Sequence, residues 1–183
     1  MDKKYKVGFY IGRFQPIHIG HESIIRKMLD ECVIAIVAVG SAQEHNTQRN
    51  PFNFWERKDL ITNVFYREVI EGRLIIIPIK DRENPSNDAS WGDYVFEKVK
   101  WFTNEQPNVV YEGEETERST WYDNLDVTIV KVPRSDIPVS ATEIREGLCG
   151  NGVYSLSVNP MIPAAIRYRI KEMKEVIENA KQN

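Results

Sequence analysis

Tyr5-Lys6-Val7-Gly8-Phe9-Tyr10-Ile11-Gly12-Arg13-Phe14-Gln15-Pro16-Ile17-His18-Ile19-Gly20-His21 is the stretch that decides the fold. Its first seven residues are rich in aromatic and β-branched side chains and read as a strand. Gly12, Pro16 and Gly20 punctuate the next segment as a loop. From about Ile19 to Glu31 the apolar residues Ile24, Ile25, Met28 and Leu29 recur at helical spacing. Val33-Ile34-Ala35-Ile36-Val37-Ala38-Val39 then forms an apolar run typical of a strand buried on both faces. Strand, loop, helix and buried strand in that order make a βαβ unit.

The alternation continues outward. Helices are expected over Phe54–Tyr66 and Trp91–Thr103, and strands over Arg73–Ile79, Asn108–Tyr111 and Val127–Val132. A short helix near Thr142–Leu148 and a long terminal one over Ile162–Lys181 complete the pattern. Such alternation predicts an α/β fold: a doubly wound parallel sheet of Rossmann-like type, with ligands at the carboxyl ends of the strands. No repeat or linker interrupts the 183 residues, so residues 1–183 are expected to form one domain. Asp81–Ser90 is polar and reads as a loop bordering a site.

Composition narrows the function. Hydrophobic residues make up 42% and charged residues 28%, as in a globular protein. The net charge of −3 lacks the basic field of a general nucleic-acid binder, and no apolar run is long enough to span a bilayer. No signal-peptide core follows Met1, so a cytoplasmic location is expected, without nucleic-acid or membrane partners. Cys32 and Cys149 cannot make a disulfide framework and have no metal-ligand neighbours in sequence.

The loop carries the chemistry. Gly12 permits a tight exit from the strand, and Gly20 a close approach at the helix entrance. Unpaired N–H groups at that helix start favour an anion. His18 and His21, three residues apart, can face one point above the helix and donate to phosphate oxygens. Arg13 adds a planar, permanently charged fork. A zinc site would need further ligands, and His45 is the only other histidine. Far along the chain, Val139-Ser140-Ala141-Thr142-Glu143-Ile144-Arg145 supplies two hydroxyls and an arginine at a helix start. Ser140 with Glu143 also fits a capping box, so a structural cap and a phosphate ligand both remain open there.

Gly12-Arg13-Phe14-Gln15-Pro16-x-His18-x-Gly20-His21 resembles the signature of archaeal-type nicotinamide mononucleotide adenylyltransferases, within the nucleotidyltransferase superfamily marked by H-x-G-H. Ser140–Arg145 is similar to the superfamily's second signature, I-S-x-T-x-x-R, with Ala141 where Gly or Ser is common. Gly40-Ser41-Ala42-Gln43, Arg49-Asn50-Pro51-Phe52 and Glu56-Arg57 resemble a further stretch of the family's active-site floor. The resemblance covers roughly residues 5 to 170.

It implies transfer of the adenylyl group of ATP to nicotinamide mononucleotide, giving NAD and pyrophosphate. It assigns Gly12, Arg13, Phe14, Gln15, His18, Gly20, His21, Arg49, Ser140, Thr142 and Arg145 to the ATP phosphates. Of these, Arg13, His18, His21 and Arg145 carry catalysis. Gly40, Ser41, Gln43, Asp81, Asn87 and Trp91 are assigned to the mononucleotide, with Trp91 stacking on the pyridine ring; Trp91 also suits the core at a helix start. Mg²⁺ is expected as a cofactor bridging phosphates, with no protein side-chain ligands. Family members often assemble as dimers or hexamers, which makes a homo-oligomer one expectation.

Two departures stand out: Asp81 to Trp91 is longer than the family's interval, and Glu114-Glu115 follows Gly113 where Asn is usual. The same chemistry on nicotinic acid mononucleotide, phosphopantetheine or a CTP-dependent phosphoalcohol is the alternative, and a non-catalytic nucleotide sensor is a third.

Overall fold

Among the described residues the named elements run in the order β1 (Tyr5–Gly12), α1 (Ile19–Glu31), β2 (Cys32–Val39), α2 (Phe54–Val64), α3 (Tyr66–Ile70), β3 (Leu74–Pro78), α4 (Ala89–Thr103), β4 (Val109–Gly113) and β5 (Thr128–Val132). The computed structural model describes residues 2–47, 49–83, 89–114, 120–133, 140–142, 144, 175, 178 and 179. The strands pair in the order β3-β2-β1-β4-β5, every pair parallel. This is the expected Rossmann-like sheet. From β1 the chain builds outward to β2 and β3, then crosses through α4 to the other side of β1. The connections leaving β1 and β4 therefore diverge, which opens a crevice at the carboxyl edge between those strands.

Side-chain alternation divides the core into two layers. Tyr10 of β1 and Ala35, Val37 and Val39 of β2 pack with Ile25, Met28, Leu60 and Phe65 on the α1/α2 side. Val7, Phe9 and Ile11 of β1 and Ile36 and Ala38 of β2 pack with Trp91, Val95, Phe96 and Val99 on the α4 side. Central β1 and β2 are covered on both faces, which is why they read as nearly unbroken apolar runs. At Gly8 a Cβ would stand 2.6 Å from Cys32 Sγ and from Met28 Cγ, so this glycine lets α1 lie close on the sheet.

The single helix expected over Phe54–Tyr66 is interrupted. Phe65 leaves helical geometry (φ −118°, ψ 36°) and its fully buried ring joins the α1/α2-side core, so α2 ends at Val64 and α3 follows. Core burial overrides continuation of the helix at that point. At its start α2 has a reciprocal capping box: Asn53 Oδ1 accepts from Glu56 N–H, and Glu56 Oε2 accepts from Asn53 N–H. The other expected elements match within a few residues. Residues 141, 142 and 144 are helical, as are 175, 178 and 179; the remainder of the two C-terminal helices expected from sequence lies outside the described residues.

Candidate functional site

The loop from Gly12 to His21 leaves the carboxyl end of the central strand and enters α1 directly. His18 is the N-cap residue, in extended backbone conformation, with its carbonyl accepting from Glu22 N–H at 2.9 Å. Gly20 and His21 therefore lie in the first turn, where helix N–H groups face outward. The two imidazoles stack, with centroids 3.7 Å apart and planes 30° from parallel. Phe14 backs His21 at 4.7 Å. His18 is buried and His21 half-buried, so the pair is held by packing before any ligand arrives. Arg13 is exposed at the mouth of the same loop.

Gln15 is buried, and both ends of its amide meet the main chain of Phe52. Nε2 donates to the Phe52 carbonyl at 2.8 Å, and Oε1 accepts from Phe52 N–H at 3.0 Å. Its side chain thus forms the inside of the cradle wall. It ties the first motif to the segment that carries Arg49, which is exposed. That segment is a tight loop: Asn46 N–H donates to the Pro51 carbonyl, Thr47 N–H to the Asn50 carbonyl, and Asn50 N–H to Thr47 Oγ1.

Arg57, to which the sequence alone assigns no role, is the largest fully buried side chain among the described residues. From the first turn of α2 its guanidinium donates to the carbonyls of Arg13 (3.0 Å), Gly40 (2.8 Å), Ser41 (3.1 Å) and Asn53 (3.2 Å). Burial pulls it down to about 10, with Arg13 acting in the same direction and Asp81 and Glu56 opposing. It stays charged at neutral pH. Glu56-Arg57 was visible only as part of a resemblance; an arginine four residues after a capping asparagine does not announce its burial.

Gly40 and Ser41 follow the carboxyl end of β2, beside Gly12: Gly40 N–H donates to the Gly12 carbonyl at 2.8 Å. Gln43 and Asp81 meet directly across the ends of β2 and β3. Gln43 Nε2 donates to Asp81 Oδ2 and Asp81 N–H donates to Gln43 Oε1, both at 3.0 Å. Trp91 begins α4 and is 8% exposed, packed edge to face against Trp121 at 5.6 Å and beside Tyr94 at 5.3 Å. Its buried indole N–H has no acceptor among the described residues. Gly92 lets the Trp121 turn close on α4, since a Cβ there would overlap the Trp121 carbonyl. At the carboxyl end of β4, buried Glu112 accepts from Lys131 of β5 at 2.7 Å.

Ser140 and Thr142 lie beyond β5, and Ile144 N–H donates to the Ser140 carbonyl at 3.2 Å, as in a helical turn. Ile144 is buried in the same core layer as Phe14 and Ile17. The two sequence motifs, more than a hundred residues apart, are thus anchored in one core layer. Arg145 and Asn87 lie outside the described residues. Among the described residues no three His, Cys, Asp or Glu side chains converge as a metal centre, and no helix is long and apolar enough to cross a membrane.

Comparison with known proteins adds an independent line. The cytidylyltransferase-like family model matches residues 9–147. The nicotinamide-nucleotide adenylyltransferase of Thermococcus onnurineus is 30% identical over 172 residues, 93% of this chain and 85% of that protein. The Halobacterium salinarum protein of the same name is 39% identical over 90 residues, 48% of this chain and 47% of its own. Among solved structures, a bifunctional NMN adenylyltransferase/ADP ribose pyrophosphatase from Francisella tularensis superposes with a TM-score of 0.75 at 22% identity. The match covers 95% of this chain and 52% of that one, so the chain spans about half of the bifunctional protein.

Proposed function

The chain belongs to the cytidylyltransferase-like family, among its nicotinamide-nucleotide adenylyltransferases, and from that membership we infer the reaction: ATP and nicotinamide mononucleotide give NAD and pyrophosphate. The observation that carries the reading is the β1–α1 turn, where stacked His18 and His21 meet the start of a helix above the central strand.

A 5′-phosphate oxygen of the mononucleotide attacks the α-phosphorus of ATP, and pyrophosphate leaves in line. The nucleophile is already an anion, so no general base is needed. The barrier falls when two mutually repelling polyanions are held in line and charge on the departing pyrophosphate is neutralised. His18, His21, the N–H groups opening α1 and Arg13 do this from the first motif. Ser140, Thr142 and Arg145 do it from the second, and Arg49 from the loop tied to Gln15. Gly12 and Gly20 keep the main chain near the phosphates, and Phe14 contributes through its main chain, because its ring is buried. Imidazoles, hydroxyls and guanidinium groups can all donate hydrogen bonds to phosphate oxygens. Mg²⁺ would be carried by substrate phosphates oriented by these side chains, and would supply charge neutralisation.

On the other side, Gly40, Ser41, Gln43, Asp81, Asn87 and Trp91 take the mononucleotide. A cationic pyridinium gains about 0.5–2 kcal/mol from an indole face. We place the enzyme in the cytoplasm, with ATP and the mononucleotide as its partners. The test is pyrophosphate release with ATP and, in turn, nicotinamide mononucleotide, nicotinic acid mononucleotide and phosphopantetheine. The nicotinamide form is expected to give the highest kcat/KM; release with none of the three would end the reading.

A further inference from the structure

Three carbonyls at the carboxyl ends of β1 and β2 (those of Arg13, Gly40 and Ser41) converge on one buried guanidinium, that of Arg57. Carbonyl oxygens at that place are a liability for a site that must hold phosphates, because they present negative charge to an anion. Arg57 turns them inward. The consequence follows from the planarity of the trans peptide, in which N–H points opposite to C=O. Fixing the Arg13 carbonyl toward α2 aims the Phe14 N–H away from α2. Fixing the Gly40 carbonyl does the same for the Ser41 N–H. Among the described residues neither N–H has an acceptor, whereas the third, on Ala42, donates to the Ile79 carbonyl at 3.0 Å.

The backbone conformation agrees. Phe14 and Ser41 are both left-handed, with φ of 51° and 47°, although neither is glycine. Such residues persist only where the surroundings over-determine them, and both adjoin carbonyls that Arg57 holds. One side chain thus fixes two unfavourable turns on neighbouring strands. No carboxylate lies within ion-pair distance of Arg57 among the described residues, so carbonyl oxygens are its direct partners.

We propose that Arg57 is a positioning residue for nucleotidyl transfer: by clamping the Arg13, Gly40 and Ser41 carbonyls it presents the Phe14 and Ser41 N–H groups to substrate phosphates. This rests on the reaction inferred above and adds to it a side chain that touches no substrate.

The test compares Arg57→Gln, Arg57→Lys and Arg57→Ala with the wild-type chain in pyrophosphate release and, separately, in calorimetric binding of ATP without the mononucleotide. Arg57→Gln is expected to lose on the order of 10²-fold in kcat/KM for ATP. Arg57→Lys keeps the charge but not the fork, and should recover only part of that loss. Low millimolar guanidinium should restore turnover to Arg57→Ala, whereas urea, neutral and similar in shape, should not. A merely structural arginine would lower the melting temperature and leave kcat and KM of the folded protein unchanged, which would overturn the assignment. If wild-type protein binds ATP but releases no pyrophosphate, the inferred reaction fails, and Arg57 is still judged by ATP affinity. Should the variants not fold, the wild-type chain labelled with ¹⁵N-Phe and ¹⁵N-Ser is titrated with tripolyphosphate. Unmoved Phe14 and Ser41 amide signals would sink the proposal.

Discussion

One wall of the crevice, Gly12–His21, is braced from within by buried contacts: the Gln15 amide on Phe52, the Arg57 fork on the Arg13 carbonyl, and the packed rings of Phe14, His18 and His21. The side chains beyond β2 and β3, Gln43, Asp81 and Trp91, are held differently. Their polar contact is exposed, from the Gln43 amide to the Asp81 carboxylate and main-chain N–H, and their aromatic residue belongs to the α4 core layer. Under the proposed reaction the contrast has a physical reason. Phosphates are recognised by charge and by donors at fixed distances, which rewards a preorganised wall. A flat ring is recognised by a surface, which tolerates small shifts.

The largest effect should come from His21→Ala. Removing one donor to the developing charge costs about 3–4 kcal/mol of barrier, or 10²–10³ in kcat. Because His21 is only half-buried, its melting temperature should stay close to wild type. Steady-state pyrophosphate release and a thermal melt together check this. An unchanged rate would remove the imidazole from the chemistry.

Next comes Gln15→Leu. It leaves the N–H and carbonyl of Phe52 without their partner in the interior, at about 1–3 kcal/mol for each buried group lost. Denaturant unfolding should show the loss, and kcat should fall with it as the Arg49 loop loses its tether. Full stability with normal kinetics would show that the phosphate wall is not braced from inside.

Much of this arrangement is legible in the chain. The buried strand from Cys32, the helical spacing of Ile24, Ile25, Met28 and Leu29, and the i, i+3 histidines are local patterns, and local patterns survive folding. What stayed hidden depends on residues distant in sequence. Gln15 is polar and sits in a phosphate-like motif, and only its partner thirty-seven residues away shows it to be a brace. Arg57 looks like any helix-surface arginine until four carbonyls surround it. Phe65 has the spacing of a helix interior, yet burial of its ring ends α2. Likewise Trp91 carried two readings, ring platform and core residue, and its 8% exposure shows that the core claims most of its surface.

Trp91→Phe tests how much of the platform remains. Phenylalanine keeps an aromatic face of weaker attraction, so KM for nicotinamide mononucleotide should rise by about 0.5–1 kcal/mol, a few-fold. KM for ATP should not change. A KM for the mononucleotide unchanged from wild type would make Trp91 a core residue alone and leave the pyridine without its platform.

The smallest effect is expected at Gln43 and Asp81. Their two hydrogen bonds are exposed, so water replaces either partner at little cost, and each alanine variant should change stability by about 0.5 kcal/mol or less. A double-mutant cycle on the melting temperature and on KM for the mononucleotide isolates their coupling. If these side chains are held loosely, the coupling in stability should be under about 1 kcal/mol. The KM effect of Gln43→Ala should also largely vanish once Asp81 is already alanine, because the two act as one unit across the ends of β2 and β3. A coupling well above that, comparable with the loss at Gln15, would mean that both sets of side chains are preorganised alike, and the contrast between them would be gone.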